Sequence, residues 1–424
     1  MHLIDELRSV LGRRPASRRD IVAFQEARLR RLIRHAYRQV SYYRQLLDDA
    51  GIDPDGIRTI EDLRRVPITE RRDVQGLPAD ALCDRSVRVA SLRTLTTSGT
   101  TGNPLRVRRT WLEENVLLAL RARAARAYGH GLRTRRAHID FIGADTVPMS
   151  RRRMHERVGL LPRLRIDWQT PAAALVDAVA RFRAEVVSGP PSILSWLAST
   201  LSDGDRRRMG LERIFVGTET LTPGMRRAIE QGFGAPAVDV YGCHECVFLA
   251  MQRPGTATYR VCEESVILEV LKEGEPAGPG DTGDVVVTAL HSFAMPFIRY
   301  RLGDRVTLGD SPRDGDDPYL SLNAIDGRRT DRFVLSDGRT LHAYALGGAI
   351  ERCAGVRTFQ VIQETRDGFH VRVEPQAGAG GVGGDVLRVL ETVLGPEVAV
   401  RVELVPTLRA EGGRKFRGYV ALAP

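Results

Sequence analysis

The sequence of 424 residues lacks the features that mark secreted and membrane proteins. It contains five cysteines, too few for a disulfide-stabilised scaffold of this length. Its longest apolar stretches, such as 116–120 and 285–290, are far shorter than the roughly 18 residues that a membrane span requires. The first residues carry acidic side chains without a long apolar segment or a cleavage site, so we expect no leader peptide. We therefore expect a cytoplasmic protein without a transmembrane helix.

Acidic side chains are outnumbered by basic ones, 53 against 63, which gives a net charge of +10 and a pI near 9.8. This balance raises nucleic acid as a partner, because clustered cations release counterions from phosphates. The excess, however, is arginine spread along helical stretches such as 121–126, which is typical of a solvated helix face. We therefore do not expect a nucleic-acid partner. Attraction of anionic small molecules is a weaker consequence of the same charge.

The hydrophobic content of 42% supports a substantial core, and the length favours about two to three domains. An apolar stripe from residue 21 to residue 37 predicts an N-terminal helical region that ends near Gly51. From about 90 to 300, short β-branched runs alternate with helical patterns, which predicts α/β layering around a largely parallel sheet. The predicted strands are 137–142, 186–187, 213–216 and 237–241, and the predicted helices are 112–127, 172–183, 192–201 and 223–232.

A change of composition near Gly327 marks a second region. Roughly a hundred residues with alternating strands and helix can form a small α+β domain. We therefore predict a large N-terminal α/β domain, residues 1–326, and a small C-terminal α+β domain, residues 327–424. The predicted elements of the second domain are a hairpin over 332–341, strands at 358–363, 368–374 and 399–405, and a helix over 385–394.

Residues 96–104 form a run of hydroxyl side chains and glycines that no packed core requires. The run reads Thr96-Thr97-Ser98-Gly99-Thr100-Thr101-Gly102-Asn103-Pro104. Glycines let backbone N–H groups turn toward an anion, and the hydroxyls add donors, so the run suits a phosphate-binding loop. A polar surface turn is the alternative that the composition alone also allows. The run lacks the Gly-Lys-Ser/Thr ending of the Walker loop, which disfavours that class of ATPase.

Five further strings follow the hydroxyl-rich run in a specific order. They are Gly217-Thr218-Glu219, Tyr241-Gly242-Cys243-His244-Glu245, Ile298-Arg299-Tyr300-Arg301-Leu302-Gly303-Asp304, Gly327-Arg328-Arg329-Thr330-Asp331 and Gly413-Arg414-Lys415-Phe416-Arg417. Together they resemble the motifs of the adenylate-forming superfamily. The strings at 40–44, 62–69 and 294–301 resemble more narrowly those of the phenylacetate–CoA ligase branch. The resemblance covers about residues 25 to 420.

The resemblance implies a large α/β domain, a small C-terminal lid, and a two-step reaction. The enzyme would activate an organic acid, expected to be aromatic, with ATP as an acyl adenylate, release pyrophosphate, and pass the acyl group to coenzyme A. Such chemistry depends chiefly on positioning and on neutralising phosphate charge. Rotation of the lid would let one site serve both steps.

The same resemblance implies a role for each motif. Thr96, Thr97, Ser98, Gly99, Thr100, Thr101 and Gly102 would hold the β- and γ-phosphates. Tyr241 and Gly242 would form one edge of the adenine site, and Gly217, Thr218 and Glu219 the other, with Arg328 also in the nucleotide site. Glu245 would bind Mg²⁺, Asp304 would accept both ribose hydroxyls, and Lys415 would meet the charge that develops between carboxylate and α-phosphate.

Three positions depart from the family's pattern. His244 stands where the family has threonine before the magnesium-binding glutamate, so the contact to the α-phosphate would be altered or supplied by an imidazole. The hinge acid of the Gly-Arg motif falls on Arg329 or Thr330, which leaves Asp331 as the acidic candidate for the pivot. Arg414 replaces the glycine before Lys415.

Three cysteines lie near the predicted catalytic residues. Cys243 and Cys246 have the C-x₂-C spacing that can bind zinc, and His244 and Cys262 could complete such a site. The alternative is that these thiols pack as small apolar groups and His244 serves the nucleotide. Some relatives in this branch carry a cysteine/histidine cluster here, which implies a structural metal.

The alternatives for the function also remain open at this stage. The acyl group could pass to an amine or another acceptor instead of coenzyme A, or the chain could be a catalytically retired nucleotide- or nucleic-acid-binding protein. An intact set of Glu245, Asp304 and Lys415 favours the enzyme, because a binding module does not need the mobile lysine. A homodimer is compatible with the sequence.

Overall fold

The structure, a computed structural model, describes residue 12 and residues 15–96, 105–140, 159–160, 162–168, 170–311, 317–328, 332–376, 378–408 and 418–422. Within these ranges, no helix combines the length and the apolar character needed to cross a membrane. The described chain divides into two compact units. The first contains the residues up to Arg133 and Asp239–Asp326, and the second contains Thr134–Val238 and the residues from Gly327 onward.

The described elements alternate between helix and strand over much of the chain. The helices are Arg18–Gln39, Ser41–Asp49, Ile60–Leu63, Arg71–Gln75, Ala79–Leu82, Trp111–Ala124, Ala172–Phe182, Pro191–Ala198, Asp203–Met209, Pro223–Phe233, Ala343–Ile350 and Val382–Leu394. The strands are β1 (Arg93–Thr96), β2 (Arg106–Arg109), β3 (Arg136–Asp140), β4 (Arg163–Asp167), β5 (Val186–Gly189), β6 (Arg213–Gly217), β7 (Ala237–Tyr241), β8 (Ala250–Gln252), β9 (Tyr259–Val261), β10 (Val266–Lys272), β11 (Glu275–Pro276), β12 (Thr282–Ala289), β13 (Tyr300–Leu308), β14 (Ser321–Arg328), β15 (Arg332–Val334), β16 (Thr340–His342), β17 (Val356–Thr365), β18 (Gly368–Pro375), β19 (Ala399–Leu404) and β20 (Tyr419–Val420).

The N-terminal helical region of the first unit packs against strands that come much later in the chain. Its first helix begins at a capping box formed by Ser17 and Asp20, and Val40 separates it from the next helix. The buried apolar stripe of these helices shares one core with Ile267, Leu290 and Ile298. The predicted helical region is therefore present, as the helices Arg18–Gln39 and Ser41–Asp49.

Arg299 links this N-terminal region to the sheet of the first unit through an ion pair and hydrogen bonds. Its guanidinium forms a bidentate ion pair with Glu269, with N–O distances of 2.9 and 3.1 Å. Its Nη1 donates to the carbonyl oxygens of Arg64 and Val66, both at 2.7 Å. Because the side chains of the ion pair are about 10% exposed, the pair lies in a low-dielectric environment where losing one partner is costly.

The sheet of the first unit is antiparallel, in the order β11-β10-β12-β13-β14-β9-β8. The inward side chains of β10 and β12, among them Val266, Val285 and Val287, form a core with residues of the β1–β2 hairpin. The strand pair β12–β13 is interrupted, since Asp284 pairs with Arg305 and Val286 pairs with Arg301. This β-bulge places residues 302–304 opposite Val285 alone.

The first segment of the second unit contains a parallel sheet in the order β6-β5-β3-β4. Ala137, Ile139, Val187, Ile214 and Val216 are buried on one face, in a core with the helices Ala172–Phe182, Pro191–Ala198 and Pro223–Phe233. The α/β layering with parallel strands that the sequence predicts is thus confirmed. Each predicted strand and helix of this segment is present, with ends that differ by a few residues.

The second segment of the same unit has a core of its own. Strands in the order β19-β18-β17-β20 form a sheet against the helix Val382–Leu394, as the sequence predicts, and the helix Ala343–Ile350 is an addition. Glu351 accepts a hydrogen bond from the amide of Gly224 at 3.0 Å, and Arg357 donates to the Ser199 hydroxyl at 3.0 Å. These contacts join the two segments of the second unit. The predicted division into domains at residues 326 and 327 stays a prediction.

Candidate active site

A tight turn at the end of β7 presents the predicted magnesium ligand Glu245. The amide of Val247 donates to the carbonyl of Cys243 at 2.7 Å, and that of Phe248 donates to Cys246 at 2.8 Å. The second bond closes a three-residue turn around Val247, whose φ is +64°. A positive φ is a conformational outlier for a β-branched residue. Gly242 allows this path, because a Cβ there would collide with the carbonyl oxygen of Val247.

Tyr241, the last residue of β7, contacts the predicted ribose ligand Asp304. Its phenol donates a hydrogen bond to Asp304 Oδ2 at 2.8 Å. Asp304 comes from the bulge in β13, where Gly303 has a φ of +80° that glycine adopts without strain. Burial and the charge of Asp304 raise the pKa of Tyr241 well above its ordinary value, so the phenol remains a donor. Two predicted nucleotide-site residues are therefore in contact.

Glu245 is buried in the turn. Burial, and next the charge of Glu245, raise the pKa of Tyr300. Burial, a hydrogen bond with Cys246 and the charge of Glu245 likewise raise the pKa of Cys243. A buried carboxylate whose field acts on its neighbours suits a hard cation, since Mg²⁺ prefers oxygen ligands. His244, the residue before it, is half-buried.

The predicted phosphate loop connects the two strands of the β1–β2 hairpin. Arg93 pairs with Arg109 at its open end, and Thr96 pairs with Arg106 near the connection. Thr97, Ser98, Gly99, Thr100, Thr101 and Gly102 lie outside the described residues, as does Lys415, and the side chains of Thr96 and Arg328 are also outside them. Their roles stay predictions.

The buried residue Arg109, at the end of β2, contacts the turn that carries Glu245. Its Nη2 donates to the carbonyl oxygen of His244 and to that of Glu245, the latter at 2.9 Å. The side chain is about 1% exposed, and burial lowers the pKa of the guanidinium. Sequence reasoning missed this residue. The alternation of Leu105, Val107 and Arg109 was the available signal, because it places an arginine on the apolar face of a strand.

The string Gly217-Thr218-Glu219 lies at the carboxyl end of β6, in the second unit. Thr218 has a φ of +73°, a strained conformation of the kind that clusters at ligand sites. Glu219 Oε2 accepts a hydrogen bond from the amide of Ser192 at 3.2 Å, near the start of the helix Pro191–Ala198. Ligands of open α/β sheets bind outside the carboxyl ends of strands, which agrees with the predicted place of this string. Its contact with adenine stays a prediction.

The structure does not assemble the zinc site that the cysteines suggested. Although all four candidates are described, no three of the ligand atoms of Cys243, His244, Cys246 and Cys262 lie within 4.8 Å of one another. The amide of Cys246 donates to Cys243 Sγ at 3.3 Å, so the two cysteines of the C-x₂-C string form a hydrogen bond within the turn. Cys246 lies in the apolar core of the first unit, and Cys243 packs against that core. Cys262 is also buried, and all three thiols are free. These contacts agree with the packing interpretation of the thiols, and zinc is not supported.

Solved structures with the same fold are adenylate-forming ligases. The structure of 2-hydroxyisobutyryl-CoA ligase in the postadenylation state superposes with a TM-score of 0.76 and 20% identity, covering 94% of this chain and 88% of that one. The anthranilate CoA ligase AuaEII in complex with anthranoyl-AMP superposes with a TM-score of 0.56 and 16% identity, covering 76% and 64%. The predicted fold, an adenylate-forming enzyme with a large α/β part and a smaller C-terminal sheet, is confirmed.

Sequence relatives define the family more narrowly. The chain is 31% identical over 349 residues to phenylacetate-coenzyme A ligase of Thermus thermophilus, covering 75% of this chain and 72% of the relative. It is 30% identical over 350 residues to phenylacetate-coenzyme A ligase of Escherichia coli, covering 76% and 74%. No protein-family profile matches the chain. The chain belongs to the phenylacetate–CoA ligase family of AMP-forming ligases, as its motifs predict, and it is an enzyme.

Proposed function

We propose that this enzyme activates an aromatic carboxylic acid with ATP, releases pyrophosphate, and transfers the acyl group from the acyl adenylate to coenzyme A. The class of reaction, adenylate formation followed by thioester formation, is that of the family to which the chain belongs. The aromatic acid is inferred from the phenylacetate for which both relatives are named. The strings at 40–44, 62–69 and 294–301, which resemble those of the phenylacetate–CoA ligase branch, support the family assignment.

The contact between Tyr241 and Asp304 carries the proposal. It places the Asp304 carboxylate, at the bulge of β13, within 2.8 Å of the phenol oxygen of Tyr241. Tyr241 is the last residue of β7, directly before the Glu245 turn. A carboxylate can accept hydrogen bonds from both hydroxyls of a ribose, and an aromatic ring can lie against adenine. Gly242, the residue after Tyr241, would belong to the same proposed adenine site.

Glu245 would hold Mg²⁺ in this proposal. When bound, the ion would neutralise charge on the phosphates of ATP. The hydroxyl and amide groups of residues 96–102 would hold the β- and γ-phosphates, and the His244 imidazole would donate to the α-phosphate. Lys415 would stabilise the charge that forms during attack by the carboxylate. The segment 327–424 would act as a lid that turns between the two steps.

A screen for pyrophosphate release tests the proposed function. The purified protein would be incubated with ATP, Mg²⁺ and one acid at a time, with aromatic and aliphatic acids compared at equal concentration. We expect release with aromatic acids and formation of the thioester only when coenzyme A is added. Release with aliphatic acids alone would overturn the substrate class. An acyl product with an amine but not with coenzyme A would overturn the acceptor. A cytoplasmic location, where ATP and coenzyme A are available, is part of the proposal.

A further inference from the structure

The Glu245 turn does not rest in a relaxed backbone conformation. Val247 has a positive φ that β-branched residues rarely adopt, and the turn around it is closed by the 2.8 Å bond from the Phe248 amide to Cys246. Strained conformations of this kind persist only where surrounding contacts hold them. The side chain that contacts the turn must therefore contribute to keeping Glu245 in place.

Arg109 is the side chain that holds the turn from outside. A single nitrogen, Nη2, donates to the carbonyl oxygens of two consecutive residues, His244 and Glu245. Both carbonyls precede Val247, so these bonds restrain the peptide planes that carry the two predicted active-site side chains. The contact spans 135 and 136 residues of sequence, which makes it a tertiary restraint on the turn.

The charge of Arg109 is not used in an ion pair with any described residue. Glu113 and Glu114, two carboxylates whose charge acts on Arg109, have other partners. Glu113 accepts from Thr110 and from the amides of Phe293 and Ala294, and Glu114 pairs with Arg93. The Nε and Nη1 atoms of Arg109 are buried without a hydrogen-bond partner among the described residues. Burying a guanidinium in this way is costly, so stability alone does not account for it.

Arg109 also belongs to the strand pair that carries the predicted phosphate loop. It pairs with Arg93 across the β1–β2 hairpin, and residues 97–104 join the two strands at the other end. One side chain of the β1–β2 hairpin thus links the strands that flank the predicted phosphate loop to the backbone of the Glu245 turn.

We propose that Arg109 is a positioning residue, which holds the Glu245 carboxylate and the His244 imidazole in place on the β1–β2 hairpin through the carbonyls of the Glu245 turn. The inference rests on the proposed function of Glu245 as the Mg²⁺ ligand. Arg109 acts through the backbone and does not itself contact the reacting groups.

The test compares Arg109→Met with Arg123→Met. The control removes a guanidinium that pairs with Glu264 at 2.8 Å in the same unit, on the helix that follows Arg109. Hydrogen exchange, measured without ligand, should be on the order of tenfold faster at the Val247 and Phe248 amides in Arg109→Met, and unchanged there in Arg123→Met. Calorimetry of ATP binding should show that Arg109→Met needs about tenfold more Mg²⁺ than the wild-type protein for half-maximal binding, whereas Arg123→Met does not.

Kinetics separate positioning from stability. We expect Arg109→Met to lower kcat for acyl-adenylate formation by roughly 10- to 100-fold at saturating ATP, with a smaller loss of Tm than Arg123→Met. Adding Val247→Gly should restore part of the lost rate, because glycine adopts the positive φ without strain. If Arg109→Met does not fold, Arg109→Lys should show the same changes at smaller size.

Unchanged exchange at Val247 and Phe248 in the Arg109 variant would overturn the proposal. The proposal would also be overturned if Arg109→Met lost adenylation rate only in proportion to its loss of Tm, as in Arg123→Met, and needed no more Mg²⁺ than the wild-type protein. Hydrogen exchange needs neither the carboxylic acid substrate nor ATP, so it tests the role of Arg109 independently of turnover. A wild-type protein that releases no pyrophosphate would refute the proposed function, and not the role of Arg109.

Discussion

The phenol of Tyr241 donates a 2.8 Å hydrogen bond to the carboxylate of Asp304, and this bond joins the end of β7 to the bulge of β13. The two residues are 63 positions apart, so only the folded sheet brings them together. Asp304 is half-buried, and the hydrogen bond from Tyr241 engages its Oδ2 atom. The bond therefore orients the carboxylate of Asp304.

Tyr241→Phe should weaken ATP binding with a small loss of stability. We expect about 1 kcal/mol less unfolding free energy and an increase in KM for ATP of roughly three- to tenfold, because Asp304 loses its orienting donor. Tyr259→Phe is the matched control, since Tyr259 donates to Asp239 at 2.6 Å in the same unit. Denaturant unfolding and pyrophosphate-release kinetics measure both effects. An equal change of KM in the two variants would contradict the assigned role of Asp304.

Glu245→Gln should abolish most of the adenylation activity and preserve the fold. The amide keeps the size of the side chain but removes the charge, so we expect adenylation to fall by on the order of 10²-fold or more. Circular dichroism and pyrophosphate release would check the two parts of the prediction. Glu264→Gln, a buried glutamate paired with Arg123, should instead lower stability and keep turnover. Wild-type turnover in Glu245→Gln would refute the role of Glu245.

Purified protein should contain no stoichiometric zinc. The thiols of Cys243, Cys246 and Cys262 are free and do not form a ligand set with His244, so a chelator should leave Tm unchanged. Elemental analysis and thermal unfolding with and without EDTA measure these outcomes. One zinc per chain together with a lower Tm in EDTA would show that the cysteine turn adopts another arrangement in solution.

Lys415→Ala should separate the two half-reactions. A lysine that meets charge only during adenylation matters for that step and much less for thioester formation, when the lid has turned. The variant should fail to form acyl adenylate from ATP but still convert synthetic acyl adenylate with coenzyme A. Arg414→Ala and Arg417→Ala are the neighbouring controls, and both should retain adenylation. Equal loss in both steps for Lys415→Ala would assign it a structural role.

The sequence was informative where one motif coincides with one local structure. Tyr241 ends a strand at the predicted residue, and the glycine before Asp304 lies at a bulge, where glycine accommodates a positive φ. The parallel strands of the second unit follow from β-branched runs that alternate with helices. In each case the local sequence pattern has one conformation of low free energy, so the pattern was sufficient to predict the local structure.

Tertiary contacts were not accessible from the same patterns. Arg109 reads as one more arginine in a basic chain, and only the fold shows that it is buried against the Glu245 turn. The C-x₂-C spacing is equally compatible with zinc and with a packed turn, since the decision depends on where Cys262 lies. Arg299 belongs to a family-specific string but forms an ion pair with Glu269, which gives it a structural task.

The fastening of residues 64–66 by Arg299 has a consequence for biosynthesis. The guanidinium and the carbonyl of Val66 are separated by 233 residues, and the N-terminal helices share their core with Ile267, Leu290 and Ile298. At roughly 5–20 residues per second, a ribosome needs on the order of tens of seconds to supply these partners. During that interval the helices Arg18–Gln39 and Ser41–Asp49 can pack against each other but not against Ile267, Leu290 and Ile298. The core of this helical region is therefore completed only after residue 299 has left the exit tunnel.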